Sequence, residues 1–112
     1  MTDQVEALAT YGTLAPGEVN HGQVKGLSGR WTTGRVRGHL RKAGWGAAHG
    51  FPGITLDPAG PEVTVSLLLS PDLSAHWARL DAFEGAGYRR VPVTVETAEG
   101  PVAAQIYALA ED

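Results

Sequence analysis

The stretch SPDLSAHWARLDAFEGAGYRR, Ser70 to Arg90, constrains the fold most, because its apolar residues repeat at the period of an α-helix. Leu73, Trp77 and Leu80 recur at i, i+4 and i+7 and mark one apolar face. Ser70 is a candidate N-cap, Pro71 suits the first helical position, and Asp72 falls in the first turn. Gly85 supplies a stop. Carried to i+11, the same spacing reaches Glu84. A carboxylate there lies at the inner edge of the stripe and in the last helical turn. Burial strips its hydration and the helix C-terminus is already partially negative, so both disfavour the ionised form. Two readings stay open on periodicity alone: a proton-transfer group, or a solvated residue beyond a stripe that ends at Leu80 or Phe83.

Most of the remaining chain alternates with period two. Val5 to Tyr11 reads as a strand that runs into the Gly/Pro loop GTLAPG, Gly12 to Gly17. Trp31 to Lys42 alternates around Val36, Gly38 and Leu40, and Ile54 to Asp57 is a short strand before the turn sequence DPAGP. Val63, Val65, Leu67 and Leu69 alternate, while Leu68 makes the end of that run apolar on both faces, as in a central strand. Val91, Val93 and Val95 form another run, in which Pro92 marks an edge or a bulge. TAEGP then turns the chain into Val102 to Leu109, a terminal hairpin. Val19 to Leu27 is only weakly patterned, a short helix or a turn. About six strands with one main helix give an α+β arrangement: a largely antiparallel or mixed sheet that needs the helix to cover it, curled towards a barrel. The 112 residues are expected to form a single domain, 1–112.

Composition removes several function classes. Nine basic residues against twelve acidic ones leave a net charge of −3, which is no nucleic-acid footprint. The local basic run Arg35, Arg37, Arg41 and Lys42 reads as a solvated strand face. With no cysteine there is no thiol nucleophile, disulfide or thiolate metal site. His21, His39, His49 and His76 show no metal-ligand spacing, so no metal is expected. The N-terminus lacks a secretory pattern and no apolar run approaches the ~20 residues of a membrane span, so a cytoplasmic protein without membrane contact is expected.

Among polar candidates, Tyr11-Gly12-Thr13-Leu14 follows a strand end. A glycine there lets backbone N–H groups approach a ligand or an anion, though an ordinary turn has the same composition. Ser28, Ser66, Ser70 and Ser74 lie in no nucleophile motif. Asp81, three residues before Glu84, is expected to cap the helix or to pair with Arg89 or Arg90. Tyr88, Tyr107 and Trp45 are candidates to line a pocket, with Tyr88 and Tyr107 otherwise read as core-edge residues.

YGTL at Tyr11–Leu14, Asn20-His21, WGAAHGFPGI, LDAFEG at Leu80–Gly85, Tyr88-Arg89-Arg90 and the valine-alternating strand after them occur in the order found in the gamma-glutamylcyclotransferase-like family, which this chain resembles over most of its length. LDAFEG followed by YRR is the more specific part. The resemblance implies a small mixed β-barrel with flanking helices, the main one packed against it, and no metal and no cofactor. It implies a reaction on a small gamma-glutamyl substrate, whose α-amine attacks its own γ-carbonyl and expels an amine, leaving 5-oxoproline. It assigns the γ-glutamyl moiety to Tyr11, Gly12, Thr13 and Leu14, proton transfer to Glu84, and a site-lining role to Tyr88. A single carboxylate with a raised pKa suits that chemistry, because the attacking amine must lose a proton and the leaving amine must gain one.

The chain departs from the family pattern in two places. Ala15-Pro16-Gly17 stands where members often carry a basic residue, and Val65, Ser66 and Leu68 stand where they tend to have glycine, an acid and an aromatic. These departures bear on the leaving amine and on activity itself. The competing expectation is therefore a non-catalytic module that binds a small carboxylate-bearing metabolite in the same pocket.

Overall fold

A computed structural model describes residues 6–11, 24, 26–41, 53–84 and 87–109. Its elements are β1 (Glu6–Thr10), β2 (Arg30–Arg41), β3 (Gly53–Leu56), β4 (Glu62–Ser70), α1 (Trp77–Glu84), β5 (Tyr88–Thr97) and β6 (Gly100–Leu109), with a 3-10 turn at Leu73–Ala75 before α1. β4 is central, as its two apolar faces require. It pairs antiparallel with β1 on one side and with β2 on the other. β2 continues antiparallel to β3, β3 runs parallel to β6, and β6 runs parallel to β1. Five strands thus close a mixed barrel, and β5 is added along β6 as the expected hairpin.

Alternation along the strands sorts side chains between two cores. Ala7, Ala9, Val65, Leu67, Ile54 and Ile106 fill the barrel interior. Leu8, Leu68 and Tyr107 point the other way and pack under Leu73, Trp77 and Leu80. Each fully buried leucine in this second layer contributes roughly 1.5–3 kcal/mol. Leu73, Trp77 and Leu80 are all buried, as their spacing predicts.

The α-helix begins later than the N-cap signal at Ser70 indicates. Ser70 is the last residue of β4, held in register opposite Glu6. Paired on its way by β1 and β2, the strand outcompetes the helix until Pro71, which has no N–H to continue a ladder. Ser70 Oγ still accepts the Asp72 N–H at 3.0 Å. That bond shapes the turn into the 3-10 segment, and α1 proper starts at Trp77.

β2 shares one edge between two partners, β5 at Gly34–Arg35 and β3 from Gly38 onward. At the crossing with β5 a Cβ on Gly34 would lie 2.3 Å from Val95 Cγ1 and 2.9 Å from the Glu96 carbonyl oxygen. Only glycine lets the strands approach that closely. Among the described residues the other half of β5, around Pro92, pairs only with β6, which puts the proline on an edge. Arg35 and Arg37 are exposed and share Glu62, consistent with a solvated face. Among the described residues no helix is long and apolar enough to cross a membrane.

Candidate functional site

Glu84 ends α1, on the continuation of the face that buries Trp77 and Leu80. It is partly buried, and burial pushes its carboxyl from 4.5 up to about 7. Its place at the partially negative end of the helix acts in the same direction. The neighbouring phenols are Tyr11, Tyr88 and Tyr107, and the Glu84 charge reaches all three. Burial raises the pKa of each, and the Glu84 charge adds to the rise. They come from the end of β1, the start of β5 and the end of β6, so the helix end, a strand end and the terminal hairpin converge here.

Tyr11 is held by its hydroxyl at the junction of three strands. It donates to the Tyr107 carbonyl of β6 and accepts the Ile54 N–H of β3 at 3.1 Å. β6 carries β1 through Gln105–Ile106 and β3 through Ala108, and the Tyr107 carbonyl lies between those contacts. The phenol therefore continues the ladder where β1 stops.

Tyr107 is buried, and its own hydroxyl donates to Asp81 Oδ1 at 2.6 Å. Arg90 Nε donates to the same oxygen at 2.9 Å, and Arg90 Nη2 reaches Oδ2 at 3.4 Å. The expected pairing of Asp81 with an arginine is thus made by Arg90. This bond, with the Tyr107 hydroxyl, holds the Asp81 carboxyl below the usual carboxylate range. The Arg90 guanidinium also lies 4.4 Å from the centre of the Trp77 ring. Trp77 Nε1 donates to Glu6 Oε1 at 3.1 Å, tying the start of α1 to β1.

Of the residues singled out from sequence, the structure brings Tyr11, Glu84 and Tyr88 together. Gly12, Thr13 and Leu14 lie outside the described residues, as do Ala15, His21, Trp45 and His49. Val65 and Leu68 are core residues, Val65 inside the barrel and Leu68 under α1, and the Ser66 carbonyl accepts the Thr10 hydroxyl at 3.0 Å. Tyr107, readable from sequence only as a pocket or core-edge residue, is a hub of the cluster. Hairpin register was the available signal: counting back from the Ala98-Glu99 turn sets Arg90 opposite Tyr107. His39 is exposed and lies 3.0 Å from Asp57, away from this cluster. A cleft of about 500 Å³ between β2, β3 and β5 includes Val36, Leu56, Val93 and Glu96 and none of the residues around Glu84.

The arrangement can hold one proton. Glu84 has a carboxyl poised near neutrality, while Asp81, one helical turn away, is kept ionised by Arg90. No group of three or more metal-ligating side chains occurs among the described residues.

Residues 8–112 match the family described as gamma-glutamyl cyclotransferase, AIG2-like. No curated protein sequence gives a match. Solved structures with the same fold include YkqA from Bacillus subtilis, 27% identical with a TM-score of 0.72 over 95% of this chain. The chain spans 36% of YkqA's length. An AIG2-like protein from Mus musculus is 26% identical with a TM-score of 0.69, over 96% of this chain and 78% of the mouse protein. The uropathogenic E. coli-specific protein c4763 is 24% identical with a TM-score of 0.71, over 99% of this chain and 82% of that protein, a likeness of fold.

Proposed function

The chain belongs to the AIG2-like gamma-glutamyl cyclotransferase family, and from that membership we propose that it releases 5-oxoproline from a gamma-glutamyl amine or gamma-glutamyl amino acid, with Glu84 as general base and then general acid. The observation that carries this reading is the Glu84 carboxyl, partly buried at the helix end among three tyrosines and poised at about 7.

In the proposed reaction the substrate's α-amine, once neutral, attacks its γ-carbonyl carbon. A C–N bond forms, closing a five-membered ring. Glu84 takes the proton that the amine loses. The tetrahedral intermediate then collapses, the bond to the departing nitrogen breaks, and Glu84 returns the proton to that nitrogen. Product and amine leave with the carboxylate restored. A carboxyl near 7 suits both halves, being basic enough to accept and acidic enough to donate, a contribution of roughly 10²–10⁴-fold. Because nucleophile and electrophile share one molecule, the remaining task is to hold the substrate in a ring-forming pose. Family resemblance assigns that task to Tyr11, Gly12, Thr13 and Leu14, with Tyr88 lining the site. The Tyr11 hydroxyl is committed to backbone partners, so Tyr11 would serve by fixing where the loop begins.

The test is 5-oxoproline release from a panel of gamma-glutamyl amines and amino acids by wild type and Glu84→Gln. Turnover by wild type and its loss in the variant are expected. Equal release by both would remove Glu84 from the mechanism. Equal ligand binding by both with turnover by neither would favour a binding module.

A further inference from the structure

We propose that Asp81 is a positioning residue for Glu84: through Arg90 and Tyr107 it clamps the last turn of α1 to the terminal hairpin and so fixes the proton carrier relative to the strand end that bears Tyr11. The inference builds on the proposed role of Glu84.

α1 has only eight residues. A helix of two turns does not hold its own shape in water, so its geometry comes from tertiary contacts. Its start is anchored by the buried Trp77 and the bond to Glu6, and its middle by Leu80, which is fully buried. Near its end, Phe83 packs against the same core and Asp81 makes directional bonds to the hairpin. Asp81 precedes Glu84 by three residues, which makes the two neighbours on the helix surface. Nonpolar packing sets a distance but tolerates rotation, whereas a carboxylate bound by two donors fixes orientation as well.

The partners of Asp81 are themselves fixed. Arg90 and Tyr107 face each other across the β5–β6 ladder. The guanidinium is laid along α1, over Trp77 and on Asp81, two residues one helical turn apart. Tyr107 bonds in two directions: its hydroxyl donates to Asp81 and its carbonyl accepts the Tyr11 hydroxyl. One residue therefore joins the helix end to the strand end. The clamp also persists while Glu84 cycles its proton, because Arg90 keeps Asp81 ionised well below the range in which Glu84 titrates. Among the described residues the groups facing Glu84 across that range include Tyr11, Tyr88 and Tyr107, whose phenols are raised and stay neutral, and Asp81 is a neighbouring charge on its own helix.

The test compares wild type, Asp81→Asn, Tyr107→Phe and their double variant, with Arg35→Gln as a control at the exposed pair with Glu62. Two readouts are used: steady-state 5-oxoproline release, and NMR of the Glu84 side-chain carboxyl through a pH titration, with the backbone amides of Phe83 and Glu84. Asp81→Asn is expected to lower kcat by about 10²-fold with KM little changed, as for a misplaced reacting group. The Glu84 titration midpoint and both amide signals are expected to move. The double variant is expected to cost about as much as one single variant, because the two residues act as a unit. Arg35→Gln leaves both readouts unchanged. If Asp81→Asn does not fold, Arg90→Gln and Tyr107→Phe each remove one arm of the clamp and answer by the same readouts. An unchanged Glu84 titration together with unmoved amides in a folded variant overturns the proposal, and shows that the turn is held without Asp81. Since NMR needs no substrate, a wild type that releases no 5-oxoproline rejects the proposed reaction and leaves the clamp to be decided by the titration alone.

Discussion

Replacing Glu84 by glutamine should make the protein more stable above neutrality and leave its stability unchanged in acid. The folded state raises this carboxyl from 4.5 to about 7. Between those two values the folded chain holds a proton that the unfolded chain has released. Stability therefore falls as pH rises through this window, and the loss is complete above the folded value. At 1.36 kcal/mol for each pKa unit, ionising Glu84 in place costs about 3 kcal/mol relative to the unfolded chain. Glutamine matches the protonated acid in shape and carries no charge, so Glu84→Gln escapes that cost. The difference in unfolding free energy between variant and wild type should be near zero at about pH 4 and climb to about 3 kcal/mol at about pH 8. For a chain of this length that corresponds to a Tm higher by roughly 10 °C in the variant. Urea unfolding of both proteins across the pH range measures it, and every other ionisable group cancels in the difference. A difference independent of pH, or a variant less stable than wild type at alkaline pH, would refute the reasoning: Glu84 would then be solvated or charge-paired in the folded state. The same variant should lose 5-oxoproline release by roughly 10²–10⁴-fold, a gain of stability at the cost of activity.

Three further outcomes follow from the geometry. The kcat/KM of wild type should rise with pH through an acid limb centred at about 7, because attack requires the ionised base, and a limb centred near an ordinary carboxylate value would contradict the burial of Glu84. Tyr11→Phe should cost about 1–3 kcal/mol in urea unfolding by leaving the Ile54 N–H and the Tyr107 carbonyl without their shared partner, and hydrogen exchange at the Ile54 amide should accelerate. Gly34→Ala should destabilise by about 1–3 kcal/mol, since the added methyl meets Val95 and the Glu96 carbonyl at the β2–β5 crossing; unchanged stability would mean that the crossing opens without strain.

What the sequence made legible is what depends on local pattern. Alternation placed β4 in the middle of the sheet because Leu67 and Leu68 demanded two buried faces, and each faces a different core. The period of Leu73, Trp77 and Leu80 found the buried face of the helical segment, and Pro92 found an edge. The misplaced helix start has a nonlocal cause: Ser70 carries a capping side chain, but its backbone is claimed by Glu6, far away in sequence. Barrel closure was legible only as a tendency. The parallel contacts of β6 with β1 and β3 join segments with no turn between them to set a register. The bond from Tyr11 to Tyr107 was hidden for the same reason.

The two carboxylates at the end of α1 show where functional specificity arises. Asp81 and Glu84 share a helix, a charge and nearly the same place, and the helix period alone does not distinguish them. Their environments diverge because the hairpin returns Arg90 and the Tyr107 hydroxyl to the exposed Asp81, while Glu84 is partly buried beside Tyr88. Arg90 lies on Asp81 and holds it ionised. Around Glu84 stand Tyr11, Tyr88 and Tyr107, of which two commit their hydroxyl protons elsewhere, Tyr11 to a carbonyl and Tyr107 to Asp81. Burial then raises the Glu84 carboxyl towards neutrality. Two titratable groups driven apart in this way fit the proposed reaction, in which Asp81 positions and Glu84 exchanges protons. In the proposed reaction the motif LDAFEG therefore works only together with the YRR that follows, since the second arginine of YRR holds Asp81 ionised while Glu84 is the carboxyl raised to about 7.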